Sequence, residues 1–198
     1  MGRKPKDRAR KKLTAKAEKW VRKLIPLLQE KELDKLTLDQ ISELSGKSKS
    51  TIYTYFSTKE EIYFKVTQLV LEDLKFAASS DAISGEDMEQ VLRSILLNIS
   101  NGIEGISISY LEQLQQHYPE IWSVIEEFTS KVLLNLAAIY EKGMNQGSFK
   151  RFNISLLTAL DSHFVISVMT DTAKFEKQGL SLKDLVMEYL ELRLSALR

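Results

Sequence analysis

The chain has 198 residues, 43% of them hydrophobic and 28% charged, the balance of a folded globular protein with a sizeable core. It contains no cysteine, which excludes disulfide frameworks, thiolate metal sites and cysteine nucleophiles, and no apolar run approaches the roughly 20 residues needed to span a bilayer. The net charge of +1 conceals an asymmetry: 17 basic and nine acidic residues up to Lys65 give +8, whereas 11 basic and 18 acidic residues beyond it give −7, so the first part suits a polyanion and the second repels one.

In chain order, residues 1–12 carry seven basic residues against Asp7 and almost nothing apolar, which predicts a flexible basic arm that either lies along the groove or phosphates of a polyanion or, the favoured reading, raises non-specific affinity for it. No apolar leader segment follows these charges, so a cytoplasmic location is expected. Ala17, Trp20, Val21, Leu24 and Leu28 recur at three- and four-residue spacings and predict a helix from Thr14 to Glu30. Pro26 lacks the N–H that the Arg22 carbonyl would accept, which predicts a kink or restart there, on the face away from the core.

Thr37-Leu-Asp-Gln40 has the form of a capping box and predicts a short helix ending near Leu44. Gly46 supplies the positive φ that a sharp turn requires, and Ser48 caps the next helix, from Lys49 to about Tyr55. A second capping box, Ser57-Thr-Lys-Glu60, opens a longer helix whose apolar stripe runs through Ile62, Val66, Leu69, Val70, Leu74 and Ala77 to a polar stretch at 79–87. Further helices are expected at 87–100, 103–116, 119–145, 153–175 and 181–197, with Gly143 and Gly147 bracketing a helix stop. No segment reads as strand. The expectation is an all-α chain of about nine helices, with a basic arm at 1–12, a helix-turn-helix domain at 13–65 and a second helical domain at 66–198.

Two short helices joined by a glycine turn make a helix-turn-helix, whose second helix is narrow enough to enter a DNA major groove. Its outer face, Lys49, Ser50, Thr51, Tyr53 and Thr54, is small or hydrogen-bonding, whereas Ile41, Leu44, Ile52 and Phe56 supply the inner face. At this point the sequence resembles the TetR (tetracycline-repressor-like) family of regulators, whose glycine-turn run has the form G-V-S-K-G-T-L-Y-x-Y-F followed by a short linker with a lysine and an acidic residue. Here it stands as Gly46-Lys-Ser-Lys-Ser-Thr-Ile-Tyr-Thr-Tyr-Phe56, then Ser57-Thr-Lys-Glu-Glu61, and the resemblance spans about residues 14–65.

The resemblance implies a homodimer whose recognition helices read consecutive major grooves of a near-palindromic operator in double-stranded DNA. It implies base-facing positions for Lys49, Ser50 and Thr51, with Thr54 one turn on, and backbone contacts for Tyr53, Tyr55 and Lys59. Thr37, at a helix start, is a further candidate phosphate contact, and Lys47 and Ser48 complete the candidate DNA surface. Three positions depart from the pattern: Lys47 replaces a small apolar residue, Ser50 a glycine or alanine, and Lys31-Glu-Leu33 a glycine-containing corner.

For the second domain the resemblance implies effector binding and dimerisation. Candidate residues for a pocket holding a small, largely apolar effector are Leu92, Ile95, Leu96, Ile99, Tyr110, Leu114, Trp122, Ile125, Phe128, Leu136, Tyr140 and Phe164, with Gln113 or His163 as a polar anchor; most of them fit an ordinary core better. Neither His117 nor His163 has carboxylates at ligand spacing, so no metal, and no cofactor, is expected. The apolar last two helices suggest a four-helix dimer interface. The resulting expectation is a transcriptional regulator, by family a repressor, with coupling through the helix that links the domains. The alternative is a DNA-bound factor of the same fold that recruits a protein and binds no small molecule; a deep apolar cavity discriminates in favour of the first. No acid/base pair, phosphate loop or nucleophile motif speaks for an enzyme.

Overall fold

The computed structural model describes residues 11–77, 87–170, 175 and 177–198. Within them the chain is helical, with no strand: α1 (Ala15–Arg22), α2 (Leu24–Leu28), α3 (Leu38–Ser45), α4 (Lys49–Tyr55), α5 (Lys59–Ala77), α6 (Met88–Gly102), α7 (Ile108–His117), α8 (Pro119–Gln146), α9 (Ile154–Thr170) and α10 (Leu182–Leu197). The expected basic arm, apart from exposed Lys11 and Lys12, and most of the polar stretch at 79–87 lie outside the described residues. None of the described helices is long and apolar enough to cross a membrane.

The first predicted helix appears as two, α1 and α2, separated at Lys23; with these taken together, the described residues form nine helices, the number expected. Lys23 keeps helical dihedrals, so the chain bends without leaving its course, and Pro26 lies exposed one turn further on. The Thr14 hydroxyl caps α1 by accepting from the Ala17 N–H at 3.2 Å. α5 starts one residue later than the sequence suggested: the Thr58 hydroxyl accepts from the Glu61 N–H, and the Glu61 carboxylate accepts from the Ser57 N–H at 2.5 Å. The expected Ser57/Glu60 box is thus a Thr58/Glu61 cap. α7 begins at Ile108 instead of 103, because the chain turns through Gly105 at φ 81° before Ser107 caps the helix.

The first core joins both expected domains. Trp20, Val21, Leu24, Ile41, Ile52 and Phe56 pack with Tyr63 and Leu69 of α5 and with Tyr110, Leu114, Tyr118 and Ile121 of α7 and α8. A second core holds Leu92, Ile95, Leu136, Ile139, Tyr140, Phe149, Leu190 and Leu194, and pins α6, α8 and α10 together. Behind it the buried Asp161 of α9 accepts hydrogen bonds from the Tyr140 hydroxyl at 2.9 Å, the Tyr189 hydroxyl and the Arg193 guanidinium, tying α8, α9 and α10 through one carboxylate.

Gly147, at φ 79°, ends α8, as expected of a left-handed cap. Gly143 does a different job from the helix stop read in the sequence. It lies inside α8, and a Cβ there would run into the Phe149 ring. Phe149 is itself buried, so the ring has nowhere to go without disturbing the second core. Gly143→Ala is therefore expected to cost about 1–3 kcal/mol despite the better helix propensity of alanine, checked by urea denaturation.

Candidate nucleic-acid interface and the cavity behind it

The turn between α3 and α4 is fixed by its own polar groups. Gly46 takes φ 63°, its N–H donates to the Glu43 and Ser42 carbonyls, and the buried Ser42 hydroxyl donates to the Lys47 carbonyl at 2.5 Å. Thr37 and Gln40 form the predicted capping box at the start of α3, so the Thr37 hydroxyl sits exposed at a helix N-terminus. Ile52 and Phe56 anchor the inner side of α4, where Phe56 meets the Trp20 ring edge-to-face at 6.1 Å.

What remains turned to solvent on α4 is Lys49, Ser50 and Tyr53, with Thr51 and Thr54 half exposed. The Ser48 hydroxyl accepts from the Thr51 N–H and shares hydrogen bonds with the hydroxyls of Ser50 and Thr51, at 3.0 and 2.9 Å, so it orders the start of the helix. The Thr54 hydroxyl donates back to the Ser50 carbonyl at 2.7 Å. Lys49 pairs with Asp39 of α3 at 2.5 Å, and this hydrogen bond holds the ammonium above its ordinary pKa. A nucleic acid meeting Lys49 has to displace that carboxylate. Asp39 received no role from the sequence; its place in the first turn of α3 was the available signal.

The other candidates divide. Lys47 is half exposed and its N–H donates to the Ser42 carbonyl, so its backbone is locked to the turn. Tyr55 is partly buried against the first core. Lys59 turns inward and donates to the carbonyls of Leu33 (3.0 Å) and Asp34, while the Tyr63 hydroxyl donates to the same Leu33 carbonyl. Two of its three N–H donors thus brace the α2–α3 corner, leaving one for a phosphate.

Behind this surface lies a cavity of about 190 Å³. Six expected residues line it, Ile99, Tyr110, Leu114, Ile125, Phe128 and Phe164. The other eight do not. Leu92, Ile95, Leu96, Leu136 and Tyr140 belong to the second core, Trp122 to the first, and His163 is exposed on α9. Gln113 is spent elsewhere, as described below. The sequence reading missed Ile25 and Gln29 of the α2 region and Val66, Thr67, Val70 and Leu71 of α5. The α5 stripe was visible as a packing face, but nothing in it marked a cavity wall. Among the described residues, no charged one lines the space.

Between cavity and recognition surface runs a set of hydrogen bonds. The Ser107 N–H donates to Gln29 Oε1 at 2.7 Å and the Ser107 hydroxyl to the Gln29 carbonyl at 2.9 Å. Gln113 Nε2 donates to the Lys31 carbonyl at 2.9 Å, and its Oε1 accepts from the Leu33 N–H at 2.7 Å. α7, a cavity wall, is thereby clasped to the corner that leads into α3. α5, which carries Val66 and Val70 into the cavity, is covalently continuous with α4 through residues 56–58.

Residues 25–66 match the family model described as bacterial regulatory proteins, tetR family. The chain is 20% identical over 122 residues to an uncharacterized HTH-type transcriptional regulator, YvaF, of Bacillus subtilis (strain 168); the match spans 61% of this chain and 64% of that relative. The fold resembles that of the fatty acid degradation regulator FadR from Bacillus halodurans, with a TM-score of 0.70 and 19% identity over 95% of this chain and 99% of that one. It also resembles the transcriptional regulator FadR from Bacillus subtilis in complex with stearoyl-CoA, with a TM-score of 0.67 and 19% identity over 91% and 99%. At these identities the two structures speak for the fold.

Proposed function

We propose that this chain is a member of the tetR family of bacterial regulatory proteins, whose model its residues 25–66 match, and that it is a dimeric, operator-specific repressor controlled by a small, largely apolar effector. The observation that carries the reading is the cavity, lined mainly by apolar side chains among the described residues and walled by α5 and α7, the two elements tied to the recognition surface. The operator is read by the exposed face of α4, with Lys49, Ser50, Thr51 and Thr54 toward bases and Tyr53, Lys59 and Thr37 toward phosphates. Exposed Leu156, Leu160 and Ile166 on α9 and Leu192 on α10 form the apolar surface of the homodimer. An acyl chain is the first effector to test, because the lining is mainly apolar and the B. subtilis FadR structure is of a complex with stearoyl-CoA.

The test is operator affinity with and without octanoyl-CoA and stearoyl-CoA. An effector that biases the recognition helices changes duplex affinity by about 5- to 150-fold. No change with either ligand, while the duplex is still bound specifically, favours the alternative of a protein-recruiting factor.

The hydrogen bonds of Gln113 give this reading a separate consequence. Gln113→Leu keeps volume close to the original but releases Lys31 and Leu33, so it is expected to leave binding of the active acyl-CoA within about threefold. The ligand-induced change in duplex affinity is expected to shrink by about 3- to 10-fold. Titrating the duplex against the variant with and without ligand checks both numbers.

A further inference from the structure

Asp39, in the first turn of α3, and Lys49, the first residue of α4, pair across the two helices of the helix-turn-helix at 2.5 Å. Their side chains are 50% and 59% exposed, so the pair adds little to stability and separates readily. The turn itself is already held by Gly46 and by the Ser42 hydroxyl on the Lys47 carbonyl. What the pair does provide is a cation and an anion side by side on the face that meets DNA. An acid there weakens binding to a polyanion unless the nucleic acid offers it a donor.

We infer that Asp39 and Lys49 form one specificity-determining unit that selects a guanine·cytosine pair of fixed orientation in each half-site, Lys49 on the guanine and Asp39 on the cytosine. This rests on the proposal that α4 reads the operator, and it adds a reading residue from α3. In the major groove a G·C pair presents two acceptors and then a donor, guanine N7 and O6 followed by the cytosine N4 amino group, whereas A·T presents acceptor, donor, acceptor. An ammonium only donates and a carboxylate only accepts. Against G·C the ammonium covers N7 and O6 while the displaced carboxylate takes the amino group. O6 and N4 are themselves hydrogen-bonded, about 2.9 Å apart, comparable to the 2.5 Å between Lys49 Nζ and Asp39 Oδ2. A phosphate satisfies Lys49 alone and leaves the carboxylate facing a polyanion. An A·T pair separates its two acceptors, so the ammonium reaches one at a time. The inverted pair sets cation against amino group and carboxylate against carbonyl oxygen, the worst match of all.

Selection of duplexes from a randomised library by the full chain tests this on wild type, Asp39→Ala and Lys49→Met, with thermal unfolding to check that the variants fold. Wild type is expected to retain a near-palindrome with one such G·C pair in each half-site; both variants are expected to lose the preference at that pair and keep it at the others. Inverting the pair in one half-site is expected to weaken wild-type binding about 5- to 150-fold and that of either variant by less than about threefold. Replacing its guanine by 7-deazaguanine, which lacks the N7 acceptor, is expected to weaken wild type about 3- to 10-fold and to leave Lys49→Met within about twofold. A retained sequence without such a pair, a preference for it that survives both variants, or a relaxation spread evenly over the half-site overturns the paired reading and leaves operator recognition by α4 standing. Retention of no common sequence by wild type overturns both.

Discussion

Asp161→Ala is expected to lower the stability of the folded chain by about 3–5 kcal/mol, the range for breaking a buried ion pair from one side. Asp161 is 1% exposed and Arg193 7%, so deleting the carboxylate leaves a guanidinium with little access to water. Two phenols lose their acceptor as well: the Tyr140 hydroxyl at 2.9 Å, and that of Tyr189, whose ring stacks on Phe164 with centroids 3.9 Å apart. Because these groups come from α8, α9 and α10, the damage falls on the helices that carry the exposed leucines of the proposed dimer. Urea denaturation at fixed protein concentration measures it, since dimerisation makes apparent stability depend on concentration. The double variant Asp161→Ala/Arg193→Leu is expected to recover part of the loss by removing the orphaned charge. A single-variant cost below about 1 kcal/mol would mean that water reaches the pair.

The second large effect is on DNA. Ser50 and Tyr53 are exposed on α4 and do not belong to either main core, so their truncation leaves both cores intact and removes what the helix presents. Ser50→Ala/Tyr53→Ala is expected to reduce affinity for the preferred duplex by about 30- to 100-fold, at about 1–3 kcal/mol for a well-placed base contact and less for a phosphate contact. Affinity for unrelated duplex is expected to change by less than about threefold, because the basic residues that supply it are untouched. Competition titrations with specific and random duplex separate the two. Equal losses on both would mean that the pair supplies only backbone contacts.

What the sequence revealed of this fold is what is decided locally. The α3–α4 unit was legible because each of its signals acts within four residues: the Thr37/Gln40 box, the left-handed Gly46 and the Ser48 cap. The same locality explains the slip at α5, where Ser57 and Thr58 are adjacent hydroxyls and Glu60 and Glu61 adjacent carboxylates, so two capping registers compete and only packing chooses. Partnerships across helices left no such trace. Gln113 looked like a pocket anchor, yet its amide faces a loop some 80 positions earlier. Thr67 sat unnoticed in an apolar stripe, and Leu92 and Ile95 have the same spacing as true cavity residues but turn into the second core. Lys59 was assigned to phosphate by resemblance, and its brace on Leu33 and Asp34 depends on a corner that no short pattern encodes.

The most direct test of the central claim is to capture duplexes from fragmented bacterial genomic DNA with the purified full chain and to sequence what is retained at two salt concentrations. The account predicts enrichment of a near-palindrome with half-sites about one helical turn apart, bound less tightly at the higher salt and no longer enriched by the Ser50→Ala/Tyr53→Ala variant. Retention of DNA with no common sequence, or an enrichment that survives the variant, would contradict operator recognition through α4.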